Sequence, residues 1–208
     1  LGGARQGSVV AIDGSNAFVT TLAGVAQASG ASDGTGPAAR FYFPESVTTD
    51  GTSLFIADGA NHTVRKLDKA TGAVTTLAGL ASNSGLVDGC GASARFYSPY
   101  GITTDGTYLY VSDRNNHSIR RIGISDGCVT TLAGPTSGSF QSGYFDAAGT
   151  AARFNSPAGV TTDGTNVYVV DWGNRRIRQV VIASADVTTL AGDGNLGSND
   201  GTGAAAQF

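Results

Sequence analysis

Val19-Thr20-Thr21-Leu22-Ala23-Gly24 returns as Val74–Gly79, Val129–Gly134 and Val187–Gly192, with starts 55, 55 and 58 residues apart. Each copy is followed by a stretch of small residues running from Asp to Phe: Asp33–Phe41, Asp88–Phe96, Asp146–Phe154 and Asp200–Phe208. Three of these continue through Pro, Thr-Thr-Asp-Gly-Thr and a β-prone segment into the next copy. A fixed period of this length marks supersecondary units that stack because none can bury its apolar surface alone.

The unit itself reads as four short strands. Gly101–Thr104 closes at Asp105-Gly106, a tight hairpin signal. Tyr108–Val111 ends in the turn cluster Asp113–Asn116. Ile119–Ile122 turns at Ser125-Asp126-Gly127, and Val129–Leu132 stops at Gly134. Helical periodicity is absent at any useful length. Side chains alternate along a strand, so Leu109 and Val111 face one way, Tyr108 and Tyr110 the other. Both sets are apolar, so each sheet is expected to lie between two neighbours. Four-stranded antiparallel sheets packed face to face around an axis make an all-β propeller. A β-solenoid is the other repeat architecture, but its coils are shorter.

Pro44 through Val47-Thr-Thr-Asp50-Gly51, Leu54–Asp58 and Asn61-His62-Thr63-Val64-Arg65 resembles an NHL repeat, named for its Asn-His-Leu signature. Tyr110–Asp113 with Asn116-His117-Ser118-Ile119-Arg120, and Tyr168–Asp171 with Asn174-Arg175-Arg176-Ile177-Arg178, repeat the pattern. The signature Leu is Thr, Ser or Arg here, and Arg175 replaces His in the third copy. The resemblance implies a propeller, commonly six-bladed, that serves as a binding platform. A minority of such propellers are enzymes, including zinc-using lyases, so fold is implied more firmly than function.

Residues 1–24 align with 56–79 and supply only the outer two strands of a partial blade. Residues 44–79, 99–134 and 157–192 are expected to form blades, and 193–208 a connection toward a missing one. The equivalent of Tyr42–Phe55 is absent between the end and the start, so one inner hairpin is lacking. The chain thus reads as an arc of about three and a half blades, either part of a longer propeller or completed by a partner. That partner would be a second copy or another propeller segment.

No methionine occurs in 208 residues, which leads to the expectation that the chain is processed or excised from something longer. Charged residues make up 14%, against about 25% in ordinary domains. With Gly, Thr, Ser and Ala on the surface, this points to a secreted or cell-surface protein. No apolar run is long enough to insert in a membrane as a helix. Cys90 and Cys128 are the only cysteines, and a disulfide between them would fit an oxidising compartment. Two separate buried thiols are the alternative. Net charge is −3 with no basic block, which argues against nucleic acid.

Catalysis is sought where a repeat departs from its copies, because chemistry needs unlike groups converging. His62 and His117 hold one repeat position whose third member is Arg175, so they read as structural rather than metal-binding. Asp50, Asp105 and Asp163 belong to hairpin turns rather than a calcium loop. Arg65, Arg120 and Arg178, spaced alike after Asp58, Asp113 and Asp171, read as structural pairs. Asn61-His-Thr63 and Asn116-His-Ser118 match glycosylation sequons only because the repeat signature does. The departures that remain are aromatic or charged. Trp172 stands where Gly59 and Arg114 stand; Glu45, Tyr100 and Ala158 share another position; and the longest connection carries Phe140, Tyr144 and Phe145. These are candidate contact residues for a protein or glycan ligand. No acid, base, nucleophile, metal set or cofactor site is expected. The sequence therefore reads as a non-enzymatic extracellular module for protein association or self-assembly. A fragment of a propeller lyase or hydrolase, or a carbohydrate-binding adhesin, is the alternative.

Overall fold

The computed structural model describes residues 6–13, 18–137 and 141–208; the candidate Phe140 lies outside them. Its architecture is a β-propeller arc. In the first sheet, β1 (Gln6–Asp13) pairs antiparallel with β2 (Phe18–Gly24). The connection that follows contains β3 (Gly34–Thr35) and β4 (Phe41–Tyr42). The second sheet is built from β5 (Pro44–Thr49), β6 (Ser53–Asp58), β7 (Thr63–Asp68) and β8 (Ala73–Ala78). After β9 (Gly89–Cys90), the third has β10 (Pro99–Thr104), β11 (Tyr108–Asp113), β12 (Ser118–Gly123) and β13 (Cys128–Ala133). The fourth has β14 (Pro157–Thr162), β15 (Asn166–Asp171), β16 (Arg176–Val181) and β17 (Val187–Ala191).

Each full sheet is an antiparallel meander, and β10 packs against β5 on one side and β14 on the other, which places these strands innermost. Two features lie beyond the four-strand unit. First, β3 and β9 add to the outer edges of β8 and β13, so each connection runs along the blade it enters; Ala148 and Asp186 form a single bridge in the same place. Cys90 and Cys128 are directly opposed in the β9–β13 pair and are joined by a disulfide. Second, the first sheet holds three strands where the repeat alignment assigns two. Phe41-Tyr42 pairs with Gly7 and Gln6, occupying part of the edge of β1 that a missing strand leaves open.

The repeated turn sequence explains the hairpins locally. The Oδ1 atoms of Asp50, Asp105 and Asp163 accept from the backbone amides of the second and third residues onward, at 2.7–2.8 Å. Gly51, Gly106 and Gly164 take φ of 97°, 91° and 86°, which a side chain would resist. These hydrogen bonds hold the Asp163 carboxyl below the ordinary aspartate range. The carboxylates are thus committed to their own turns.

Between successive sheets lie three apolar clusters. The second and third sheets enclose Phe55, Ala57, Val64, Phe96, Leu109, Val111 and Ile122; the third and fourth enclose Tyr110, Ile119, Phe154, Val167, Val169 and Val180. Alternation holds for Leu109, Val111 and Tyr110. Tyr108 differs from expectation: it is 37% exposed, with the Arg121 guanidinium over its ring. It sits at the start of its strand.

Polar chemistry then fixes each connection to its blade. A register shift falls just before Arg65, Arg120 and Arg178, and such bulges re-aim a side chain. All three side chains are fully buried. Arg120 donates to Asp113 of its own blade and Asp88 of the incoming connection, at 2.7 Å each, and to the carbonyls of Arg95 and Val87. It also lies 5.2 Å over the Phe96 ring. Arg65 repeats this with Asp58, Asp33 and Phe41, and Arg178 with Asp171, Asp146 and Phe154. The Asp, the Phe and the Arg of the repeat are therefore parts of one clasp.

Candidate functional site

The signature Asn and His complete the joints. Asn61, Asn116 and Asn174 each donate to the aspartate of their own blade and to a carbonyl of the incoming connection. With both donors committed, Asn61 and Asn116 are poor glycan acceptors. His62 and His117 sit in left-handed turns, with φ of 60° and 56°, and their Nδ1 atoms accept from the Ser98 and Ser156 amides of the next blade. Burial pushes both imidazoles below the ordinary histidine range. Only a neutral ring can accept at Nδ1.

This gives the blade contacts a pH dependence. The native histidine pKa is lowered, so the stabilisation is fully present above the unfolded value of about 6.5 and is lost as pH falls through the native value. Denaturant midpoints measured from about pH 7.5 down to about pH 5 are expected to decline. A His62→Asn/His117→Asn double variant should show a flatter profile over that interval.

The departures from the repeat gather at one end of the blades. Tyr100 follows Pro99, which pairs with Asp113, so it lies beside the turn that begins with Arg114. Trp172 opens the corresponding turn of the fourth blade. The Arg114 guanidinium stands 4.8 Å from the Tyr100 ring centre and 5.2 Å from that of Trp172. Trp172 is 61% exposed. Beside them the inner strands meet backbone to backbone: Ser112 Oγ accepts from Gly101 N at 2.7 Å and donates to the Ala158 carbonyl at 2.5 Å. A Cβ at Gly101 would collide with that carbonyl. In the second blade, exposed Glu45 lies over Gly59, where a Cβ would sit 2.9 Å from the Glu45 Cγ.

Tyr144 and Phe145 lie elsewhere, on the connection beside β16 and β17. The Tyr144 hydroxyl is 3.1 Å from Thr189 Oγ1 and its ring lies under Arg176, while Phe145 is exposed and bridges to Arg153. Of the candidates, then, Tyr100 and Trp172 are brought together, Glu45 is on the neighbouring blade, and Tyr144 and Phe145 stand apart. Sequence reasoning missed Arg114 as the residue between the two rings. Its signal was available: it is an arginine at a departing position, outside the recurring Arg–Asp series. Among the described residues, no group of three or more His, Cys, Asp or Glu is placed to hold a metal.

On its far side Trp172 borders a cavity of about 470 Å³, with Val170, Arg176, Ile177, Leu196 and Phe208. Phe208 occupies the repeat position of Phe41, Phe96 and Phe154 but is 50% exposed where those three are buried.

No family model matches the chain. NHL repeat-containing protein 2 of Gallus gallus is 36% identical over 135 residues, which is 60% of this chain and 18% of that protein. These are NHL repeats. The chain spans less than a fifth of that NHL relative, so the relative's whole activity is not carried by the match. An auxiliary nutrient binding protein of Bacteroides thetaiotaomicron superposes with a TM-score of 0.64 at 24% identity, covering 88% of this chain and 43% of that one. Virginiamycin B lyase of Staphylococcus aureus superposes with a TM-score of 0.53 at 12% identity, covering 88% and 47%. At such identities the likeness is one of fold, and the NHL-type fold is common to a binding protein and an enzyme. Among the described residues no helix is long and apolar enough to cross a membrane.

Proposed function

We propose that this chain is a non-enzymatic, extracellular binding module whose fourth blade seats another propeller segment. The observation that carries the reading is the outward face of that blade. Val170 is 41% exposed where Ala57 and Ser112 are buried, and Phe208 is half exposed where its counterparts are wedged between sheets. The connection also presents Asp200 exposed, at the position where Asp33, Asp88 and Asp146 clasp the next blade's arginine. A seated blade would cover the apolar surface and give Asp200 its cation. The cross-strand disulfide and the low charge agree with an oxidising, extracellular setting.

A second copy is the simplest partner, but its first blade carries Val10 at the register of Arg65, just after the same bulge. The self-contact would therefore lack one clasp. Light scattering of the pure protein is expected to show particles heavier than 20.9 kDa as concentration rises. Val170→Asp should return them to monomers, and Val10→Arg should lower the concentration needed by about tenfold. A monomer at every concentration, unchanged by Val10→Arg, would sink self-assembly.

A further inference from the structure

We infer that Arg114, held between Tyr100 and Trp172, is the binding point for a carboxylate-bearing sugar, such as a uronic acid residue of an acidic polysaccharide. The inference rests on the binding-module reading but not on assembly, because Arg114 and Tyr100 belong to the third blade, whose neighbours on both sides are present.

Among the described arginines Arg114 alone stacks on two rings without an ion pair or a hydrogen bond; Arg121 lacks both too but lies over a single ring, Tyr108. Arg65, Arg120 and Arg178 are buried and paired with two aspartates each. Arg40, Arg95 and Arg153 donate to nearby carbonyls, as do Arg175 and Arg176. Among the described residues the Arg114 side chain makes no ion pair and no hydrogen bond. Its contacts are the two rings, at 4.8 and 5.2 Å. Stacking engages the faces of a guanidinium and leaves its N–H donors at the edge, in the fork that matches a carboxylate. The rings also fix the side chain before any ligand arrives, which lowers the entropic cost of binding.

The surroundings define the rest of the ligand. A carboxylate alone would be satisfied by the fork, but Trp172 adds a flat apolar surface that is 61% exposed. A sugar ring offers an apolar face of C–H groups and, in a uronic acid, a carboxylate on its edge. Exposed Glu45 on the next blade over is a hydrogen-bond acceptor for hydroxyls of an extended saccharide. The position itself supports a role in specificity. It is Gly59, Arg114 and Trp172 in successive blades, while the clasp residues around it repeat without change. A scaffold that holds its joints constant and varies one rim position is placing unlike groups side by side.

Trp172 is the only tryptophan of the chain and also borders the outward cavity, so its emission is read below the concentration at which light scattering detects association. Titration with a glucuronate oligosaccharide is expected to change that emission saturably, and the same oligosaccharide with its carboxyls reduced to alcohols should not. Calorimetry should show Arg114→Ala weakening the interaction by at least about tenfold, with Arg114→Lys failing to restore it because an ammonium lacks the planar fork. The Arg114 side chain makes no hydrogen bond, so both variants should keep the far-ultraviolet dichroism of the parent. Absence of saturation, equal binding of the reduced sugar, or tighter binding of a glutamate-rich peptide would overturn the inference. None of these outcomes alters the light-scattering result, so this site and the assembly reading fail separately.

Discussion

Replacing Arg120 with alanine is expected to lower the stability of the arc by about 3–5 kcal/mol. The side chain is fully buried and makes four hydrogen bonds, two of them to carboxylates. Its removal strands the equally buried Asp113, which would keep only the Tyr97 amide and Asn116. An unpaired buried charge costs more than the pair contributes, because desolvation is no longer offset. The same change loosens the incoming connection, since Asp88 is left with only Thr131 and the Val87 carbonyl with only the Arg95 amide. Arg120→Lys should recover little, because a point charge cannot reach two carboxylates and two carbonyls at once. Urea unfolding followed by dichroism, with proteolysis mapped to residues 80–98, is the measurement. A loss below about 1 kcal/mol would mean the clasp is not what holds the blades.

Phe96→Ala and Phe208→Ala form the second test, and their expected effects differ sharply. Phe96 is buried between the second and third sheets and beneath the Arg120 guanidinium. Its truncation should cost about 3–5 kcal/mol, combining lost apolar burial with a cavity. Phe208 fills the same repeat position but is half exposed, so its truncation should cost about 1 kcal/mol or less in the isolated chain. If association covers the fourth blade, the Phe208→Ala penalty should grow with protein concentration while that of Phe96→Ala stays fixed. Equal penalties at low concentration would show that the outward face is already covered within one chain.

Much of this was legible in the sequence, residue by residue. The Asp-Gly turns close as hairpins because Asp and Gly carry their turn chemistry in their own atoms. The Asp–Arg spacing foretold Asp58–Arg65, Asp113–Arg120 and Asp171–Arg178, because a fixed offset across a tight turn brings both ends to adjacent strands. His62 and His117 read as structural, and each accepts a hydrogen bond from the next blade. Other features were not legible. Nothing local says that Asp33, Asp88 and Asp146 reach the arginine 32 residues onward, or that Tyr108 escapes burial while Tyr110 does not. Arg114 was passed over because its partners are rings on two blades, and one of them lies 58 residues away.

The period, the turns and the alternation are short-range properties, so the sequence by itself determined the four-stranded unit, the stacking of units and the propeller. The five-stranded edges, the three-way clasps and the Tyr100–Arg114–Trp172 stack depend on how consecutive units are set against each other. That placement follows from packing apolar faces at close quarters, where a bulge of one residue decides which side chain meets which. Only the tertiary structure decided it, and the candidate site exists at that level alone.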